Sequence, residues 1–234
     1  MTALEETPVP LSMLLLLIPV LAAALADWVA VSRGWRKVEY AAKPATMLLL
    51  FAWLLVVSHF QGVLPWFGLG LLFSLAGDVF LMLSDRYFIL GLAAFLLAHL
   101  MYITGFNLPL PNVSPLWSLG LAVVLGLSAA RLLRRILDGL AEKNLRRLTG
   151  PVMLYGMIIT LMLLSAMLTL FREEWKVLPA LLAAVGAALF YLSDSFLAWD
   201  RFVSPVRNGR ILNMITYHLG QIALIVGVAL QFTK

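Results

Sequence analysis

Ser74-Leu75-Ala76-Gly77-Asp78-Val79-Phe80-Leu81-Met82 places an aspartate inside a run of apolar residues long enough to lie in lipid. The run passes through Leu83-Ser84-Asp85-Arg86 into a second apolar stretch that carries His99 and Tyr102. A charged side chain at the centre of a bilayer costs at least ~2.5–3.5 kcal/mol on insertion scales. Such residues therefore face a protein interior or a watery cavity, and they mark function by default. Asp78 sets the question for the rest of the chain: which groups surround it.

The 234 residues are 62% hydrophobic and 12% charged, whereas a soluble domain is about half apolar and about a quarter charged. The chain reads as an all-α integral membrane protein, a single multi-pass domain over 1–234. No polar stretch is long enough to fold alone. With no cysteine, disulfides, thiolate metal sites and a cysteine nucleophile are excluded. A net charge of +5 would suggest nucleic acid in a soluble protein. Here the basic residues sit in short loops between apolar runs, so they report topology, and no nucleic-acid partner is expected. Glu5 and Glu6 precede the first apolar run where a signal peptide would carry basic residues, so that run is read as a span.

A span needs about 20 mostly apolar residues. Eight fit, near 11–32, 43–60, 64–84, 87–106, 115–136, 150–170, 176–199 and 209–232. Pro44, Pro65, Pro115 and Pro151 fall at span starts, where proline is tolerated, and Pro109 and Pro111 mark the loop after the fourth. Loop one holds Arg33, Arg36, Lys37 and Lys43, loop three holds Arg86, loop five holds Arg131, Arg134, Arg135, Lys143, Arg146 and Arg147, and loop seven holds Arg201, Arg207 and Arg210. These are 14 of the 17 basic residues on one side, which puts the odd loops in the cytoplasm and both termini outside. The absence of cysteine and of a targeting extension suits a bacterial inner membrane, and an endoplasmic reticulum location would read the same.

Depth follows from helical rise. Asp78 lies seven residues before Asp85 and Asp194 six before Asp200, roughly 10 Å and 9 Å from the inner boundary. Asp27 sits similarly, six residues before Arg33, and Tyr155 and Tyr217 enter from the cytoplasmic end to about the same level. Polar groups of several helices thus converge on one layer, with His99 and Tyr102 expected nearer the outer half. The halves echo one another, Gly77-Asp78 against Ser193-Asp194 and Lys43-Pro44 against Gly150-Pro151, as two four-helix repeats would.

Asp78 has Ser74 at i−4 on its helix face. Asp194 is the second acid, and two carboxylates at equal depth on different helices tell more than either alone. Asp85 and Asp200 adjoin Arg86 and Arg201 and read as interfacial charges. His99 and Tyr102 share a face one turn apart; a lone intramembrane histidine is as often a helix–helix bonding partner as a functional group. Asn213, Tyr217 and Gln221 form an i, i+4, i+8 stripe that must face inward, with His218 off it. Lys43 either snorkels to the interface or meets a lipid phosphate or a carboxylate. No G-x-S-x-G elbow, H-E-x-x-H or P-loop occurs, and the three histidines support a zinc site only weakly.

These residues resemble the YhhN family, the lysoplasmalogenases. The resemblance rests on Gly77-Asp78-x-x-Leu81, on Gly91-x-x-x-Phe95-x-x-x-His99-x-x-Tyr102 with Phe106, and on Leu192-Ser193-Asp194-x-x-Leu197-Ala198-Trp199-Asp200-x-Phe202. Tyr217-x-x-x-Gln221 extends it, as do Lys43-Pro44 and Tyr155. His218 departs from the family pattern, which argues against a catalytic role for it. The resemblance implies a membrane hydrolase that cleaves the vinyl-ether bond of a lysophospholipid held among membrane lipids, releasing a fatty aldehyde and glycerophosphoethanolamine or glycerophosphocholine. Vinyl ethers hydrolyse by protonation at the β-carbon, so the reaction needs a strong acid, a nearby anion and one water, and no metal or cofactor is expected. Carboxyl pairs with separated acidities are a recurrent solution for oxocarbenium chemistry. Asp78 and Asp194 are the expected acid and anion, in an order the sequence leaves open. Lys43, Ser74, His99, Tyr102, Tyr155, Tyr217 and Gln221 are the expected supporting or substrate-binding groups. The rival reading is a proton-coupled transporter; spans three and seven lack the mid-span proline that a broken transporter helix would carry.

Overall fold

The computed structural model describes Met13 and residues 15–110 and 112–233. Glu5, Glu6, Pro111, Lys234 and the first residues expected in span one lie outside that set. Among the described residues the chain forms eight α-helices: α1 (Ile18–Arg33), α2 (Arg36–Ser58), α3 (Leu64–Met82), α4 (Phe88–Phe106), α5 (Pro115–Glu142), α6 (Thr149–Leu168), α7 (Val177–Phe202) and α8 (Gly209–Phe232). Seven of them, α2 to α8, are long and apolar enough to cross a membrane. At ~1.5 Å per residue they span about 28–42 Å, against ~30 Å of hydrocarbon. Leu116, Leu119, Val123, Val124 and Leu127 point outward from α5. A continuous apolar surface of that kind is stable in lipid and not in water.

Three helices run past the ends that hydropathy suggests. α2 starts at Arg36, seven residues before the apolar run, so Pro44 lies inside the helix and not at its start. The early turns hold because Glu39 is buried and paired to Arg210 of α8 at 2.8 Å. α5 continues to Glu142, so Arg131, Arg134 and Arg135 stand on a helix and not in a loop. α7 continues to Phe202 and carries Asp200 and Arg201 in its last turns. In each case a polar segment prolongs a helix beyond the apolar run.

α7 and α8 form the closest pair. A Cβ added at Gly186 would sit 2.3 Å from the backbone nitrogen of Leu224, and one at Gly220 would meet the backbone of Phe190 at 2.7 Å. Small residues let helix backbones approach in lipid, where apolar burial drives nothing. α8 also packs on α1, α2 and α3, and α4 packs on both α3 and α6. The core runs along this assembly, through Phe67, Leu71, Tyr102, Phe190, Met162 and Leu224. α5 is peripheral: Ile136, Gly139 and Leu140 are its buried residues, all near its C-terminal end. There Ile136 and Leu140 join Phe88, Leu148, Val152 and Phe202 in a second, smaller cluster. α5 is therefore anchored at one end, and a cavity runs beside its inner face.

Candidate active site

The acids are held in two separate polar clusters. In the first, Asp78 of α3 is fully buried. Lys43 Nζ of α2 lies 3.0 Å from its Oδ1, and the hydroxyl of Tyr217 on α8 donates to Oδ2 at 2.7 Å. One turn away, Tyr102 of α4 donates to Gln221 Oε1 at 2.8 Å, and Gln221 Nε2 donates to Ser74 Oγ at 2.9 Å. Gly70 makes room for this: a Cβ there would fall 2.1 Å from the Tyr102 ring. Asn213 donates to the Ser193 carbonyl at 2.7 Å, completing the inward stripe on α8.

Lys43 is 6% exposed and engaged by Asp78. Of the expectations for it, meeting a carboxylate holds, and snorkelling or reaching a lipid phosphate at the interface does not. α2 begins seven residues earlier than the apolar run, which carries Lys43 two turns into the helix and away from the helix end. Asp27 of α1 is also fully buried, with His218 Nδ1 3.9 Å from its Oδ2. His218 Nδ1 accepts from Trp28 Nε1 at 3.1 Å, so its proton sits on Nε2.

In the second cluster, Tyr155 of α6 donates to Asp194 Oδ2 of α7. His99 Nε2 of α4 lies 2.9 Å from the Tyr155 hydroxyl and 3.5 Å from Asp194 Oδ2. His99 is thus at the level of Asp194 and not set apart toward the outer half; Tyr155 and Asp194 reach it from neighbouring helices. Because the tyrosine hydroxyl donates to the carboxylate, its oxygen accepts from His99 Nε2–H. The opposite nitrogen, Nδ1, is buried with no partner, which suits the neutral tautomer: an imidazolium would bury a second N–H unsatisfied.

Aromatic rings join the clusters. Phe190 touches Tyr217 at 5.5 Å and His99 at 4.8 Å between ring centroids, and Phe95 touches both Phe190 and Tyr217. The clusters differ in access. A cavity of about 390 Å³ runs between α5 and the inner faces of α4, α6 and α7, within the range of ligand pockets. Asp194 and Tyr155 line it; Asp78, Lys43 and Tyr217 do not. Its wall on α5 combines the small residues Ala122, Gly126, Ala129 and Ala130 with Leu125, Leu132, Leu133 and Ile136. A Cβ at Gly126 would meet open space. Arg201 and Phe88 lie at one end of the groove, and Leu161 and Leu164 line it beyond Tyr155 at the other.

The site gathers all nine residues expected from the sequence, but into two sets. Sequence reasoning missed Arg201 as a site residue, because it counted only toward topology. It also missed the groove, although small residues at 122, 126, 129 and 130 repeat at helical spacing on one face of α5. Asp85 pairs with Arg201 at 2.9 Å and not with its neighbour Arg86, and Asp200 Oδ1 accepts from Val206 N at 2.8 Å. Among the described residues there is no group of three or more His, Cys, Asp or Glu placed to share a metal ion.

The sequence matches the YhhN family over residues 38–228. It is 30% identical over 200 residues to the mouse protein named lysoplasmalogenase TMEM86B, covering 85% of this chain and 78% of that one. It is 34% identical over 179 residues to human lysoplasmalogenase TMEM86A, covering 72% and 70%. A Mycobacterium tuberculosis lysoplasmalogenase is 34% identical over 163 residues, 68% of this chain and 58% of that protein. No solved structure matches the chain.

The Lys43–Asp78 pair gives a stability test. Lys43→Met leaves Asp78 buried without its cation and is expected to cost roughly 3–5 kcal/mol, whereas Lys43→Met with Asp78→Leu recovers most of it. Thermal unfolding of the single and double variants in detergent checks this; equal loss in both would show that packing of the lysine stem, not charge, is what matters.

Proposed function

The chain belongs to the YhhN family, and from that premise we propose that it is a lysoplasmalogenase that uses Asp194 as its acid. The observation that carries the reading is the groove: a mostly apolar slot suited to one acyl-length chain, with a single carboxyl–tyrosine pair opening into it and His99 buried behind the pair. A lysoplasmalogen has one such chain, joined to glycerol through a vinyl ether. With the chain lying toward Leu161 and Leu164, the double bond sits beside Asp194.

The chemistry then runs in balanced steps. Protonated Asp194 gives its proton to the β-carbon; the double-bond electrons form the new C–H bond and leave an oxocarbenium ion. The carboxylate left behind is the anion that stabilises it. Water adds to the α-carbon and returns a proton to Asp194. The hemiacetal collapses as the glycerol oxygen takes that proton and the hemiacetal hydroxyl gives its own to Asp194, which releases the fatty aldehyde and the glycerophospho compound and restores the protonated acid. Tyr155 holds Oδ2 and His99 holds Tyr155, which orients the carboxyl toward the groove. Asp78 acts as a positioning residue: it fixes Tyr217, which packs against Phe95 and Phe190, and Phe95 is part of the groove wall.

Purified protein in detergent with a chelator, given lysoplasmenylethanolamine beside its ester and alkyl-ether analogues, is expected to release aldehyde from the vinyl ether alone. Asp194→Asn should lower kcat by at least about 10³-fold with folding intact, in line with loss of the proton donor of a general acid mechanism. A fully active Asp194→Asn removes it from the mechanism.

The groove gives an independent test. Gly126→Phe fills open space and leaves the acid untouched. It is expected to raise KM for long-chain substrate at least about 10-fold, through lost burial of several methylenes at ~0.8 kcal/mol each. A short-chain alkenyl substrate should be less affected; equal loss for both would place the lipid elsewhere.

We further propose that the loops carrying Lys143 and Arg207 are cytoplasmic and that both termini are outside, from the charge asymmetry. The chain has no cysteine, so single cysteines report cleanly. In intact cells an impermeant thiol reagent should label Glu174→Cys and spare Lys143→Cys; the reverse pattern inverts the topology.

A further inference from the structure

We infer that Arg201 is the phosphate anchor that sets both the orientation and the depth of the substrate, an inference that rests on the proposed lysoplasmalogen reading. Arg201 lines the end of the groove and is the one basic side chain among its lining residues. It lies seven residues after Asp194 on α7. That spacing puts the two side chains on the same helix face, about 10 Å apart along the axis. In a lysoplasmalogen, about seven bonds separate the vinyl-ether β-carbon from phosphorus, roughly 9 Å extended at the ~1.25 Å per bond of a zigzag chain. A phosphate at Arg201 therefore brings the reacting carbon level with Asp194. The chain beyond it then runs past Tyr155 toward Leu161 and Leu164, where the groove wall carries no charged side chain.

The guanidinium is held for this use. It stacks over the Phe88 ring at 4.1 Å, which fixes its plane and leaves its fork to bind, and a planar fork matches a phosphate bidentately. Its present partner is Asp85, whose side chain is 89% exposed against 35% for Arg201. An exposed carboxylate is a weak holder and yields to the phosphodiester monoanion of the substrate, whose two free oxygens meet the guanidinium fork. Lys143 Nζ donates to the Arg201 carbonyl at 2.9 Å, so a second positive charge stands at the same end of the groove. Lys43, the other basic side chain considered for the headgroup, is buried against Asp78 and absent from the groove lining.

The test compares two vinyl-ether substrates on purified protein: lysoplasmenylethanolamine and the matching 1-alkenylglycerol, which lacks the phosphate. The wild type is expected to favour the phosphate-bearing substrate in kcat/KM by about 10-fold or more, mainly through KM. Arg201→Gln should bring that ratio close to one, and Arg201→Lys should keep part of it. Asp85→Asn, by freeing the guanidinium, should raise the ratio. A ratio unchanged in Arg201→Gln, or equal losses on both substrates, overturns the anchor. If Arg201→Gln does not fold, the Asp85→Asn ratio decides, together with inhibition of the wild type by a saturated ether lysophospholipid against its phosphate-free alkylglycerol. Equal inhibition by the two, or a ratio not raised in Asp85→Asn, again overturns it. Failure of the wild type to release aldehyde from either substrate is a different result: it removes the lysoplasmalogenase reading itself.

Discussion

A buried ion pair governs how this bundle is put together. Asp78 cannot remain in an apolar interior without a partner, and Lys43 from α2 and Tyr217 from α8 are what α3 brings to it. Meeting that requirement pins three helices at one depth. The same logic repeats a turn away, where Tyr102, Gln221 and Ser74 satisfy one another across α4, α8 and α3. Between helices in lipid there is little hydrophobic drive, so such bonds and close glycine contacts do the work that apolar burial does in water. α8 joins both networks and presses its glycines against α7. It is the shared wall of the bundle, and its residues are accordingly more buried than those of any other spanning helix.

The polar residues of the site were legible in the sequence for the same reason. Any aspartate, lysine or glutamine inside an apolar span has few acceptable environments, so each announces itself. Helical spacing gave the face, and distance to the nearest basic loop gave approximate depth. Spacing along one helix says nothing about which neighbour lies across from it. His99 and Tyr102 share a face of α4, yet one belongs with Asp194 and the other with Gln221. Lys43 misled because hydropathy placed the start of α2 at the apolar run, when the helix begins at Arg36 and its first turns are held by the Glu39–Arg210 pair. Arg201 was concealed by being one positive charge among many. The groove was concealed more deeply, since it is made of side chains that are not there.

That absence is structural. α5 is fastened at its C-terminal end by Ile136 and Leu140 against Phe88 and Phe202. Above that anchor it turns Ala122, Gly126, Ala129 and Ala130 toward the cavity together with Leu125, while Leu119, Val123, Val124 and Leu127 point outward. Ala122, Gly126, Ala129 and Ala130 leave room there for a cavity of about 390 Å³ whose lining is mostly apolar. The bundle is thus tight where the ion pair sits and loose where a lipid would lie.

The contrast between the two carboxylates follows from their partners. Asp78 is balanced by a full positive charge in a sealed setting; protonating it would strand Lys43, and ionising it again would require the same cation to return. Such a group is suited to holding structure. Asp194 faces neutral donors, a tyrosine hydroxyl backed by a neutral histidine. These can bond a carboxylate through one oxygen and leave the other to carry or release a proton without any charge being abandoned. A residue that must lose and regain a proton in each turnover is better served by that arrangement than by a salt bridge. The proposed reading thereby gives two aspartates in equivalent-looking motifs different work, one beside a lysine and the other beside neutral donors.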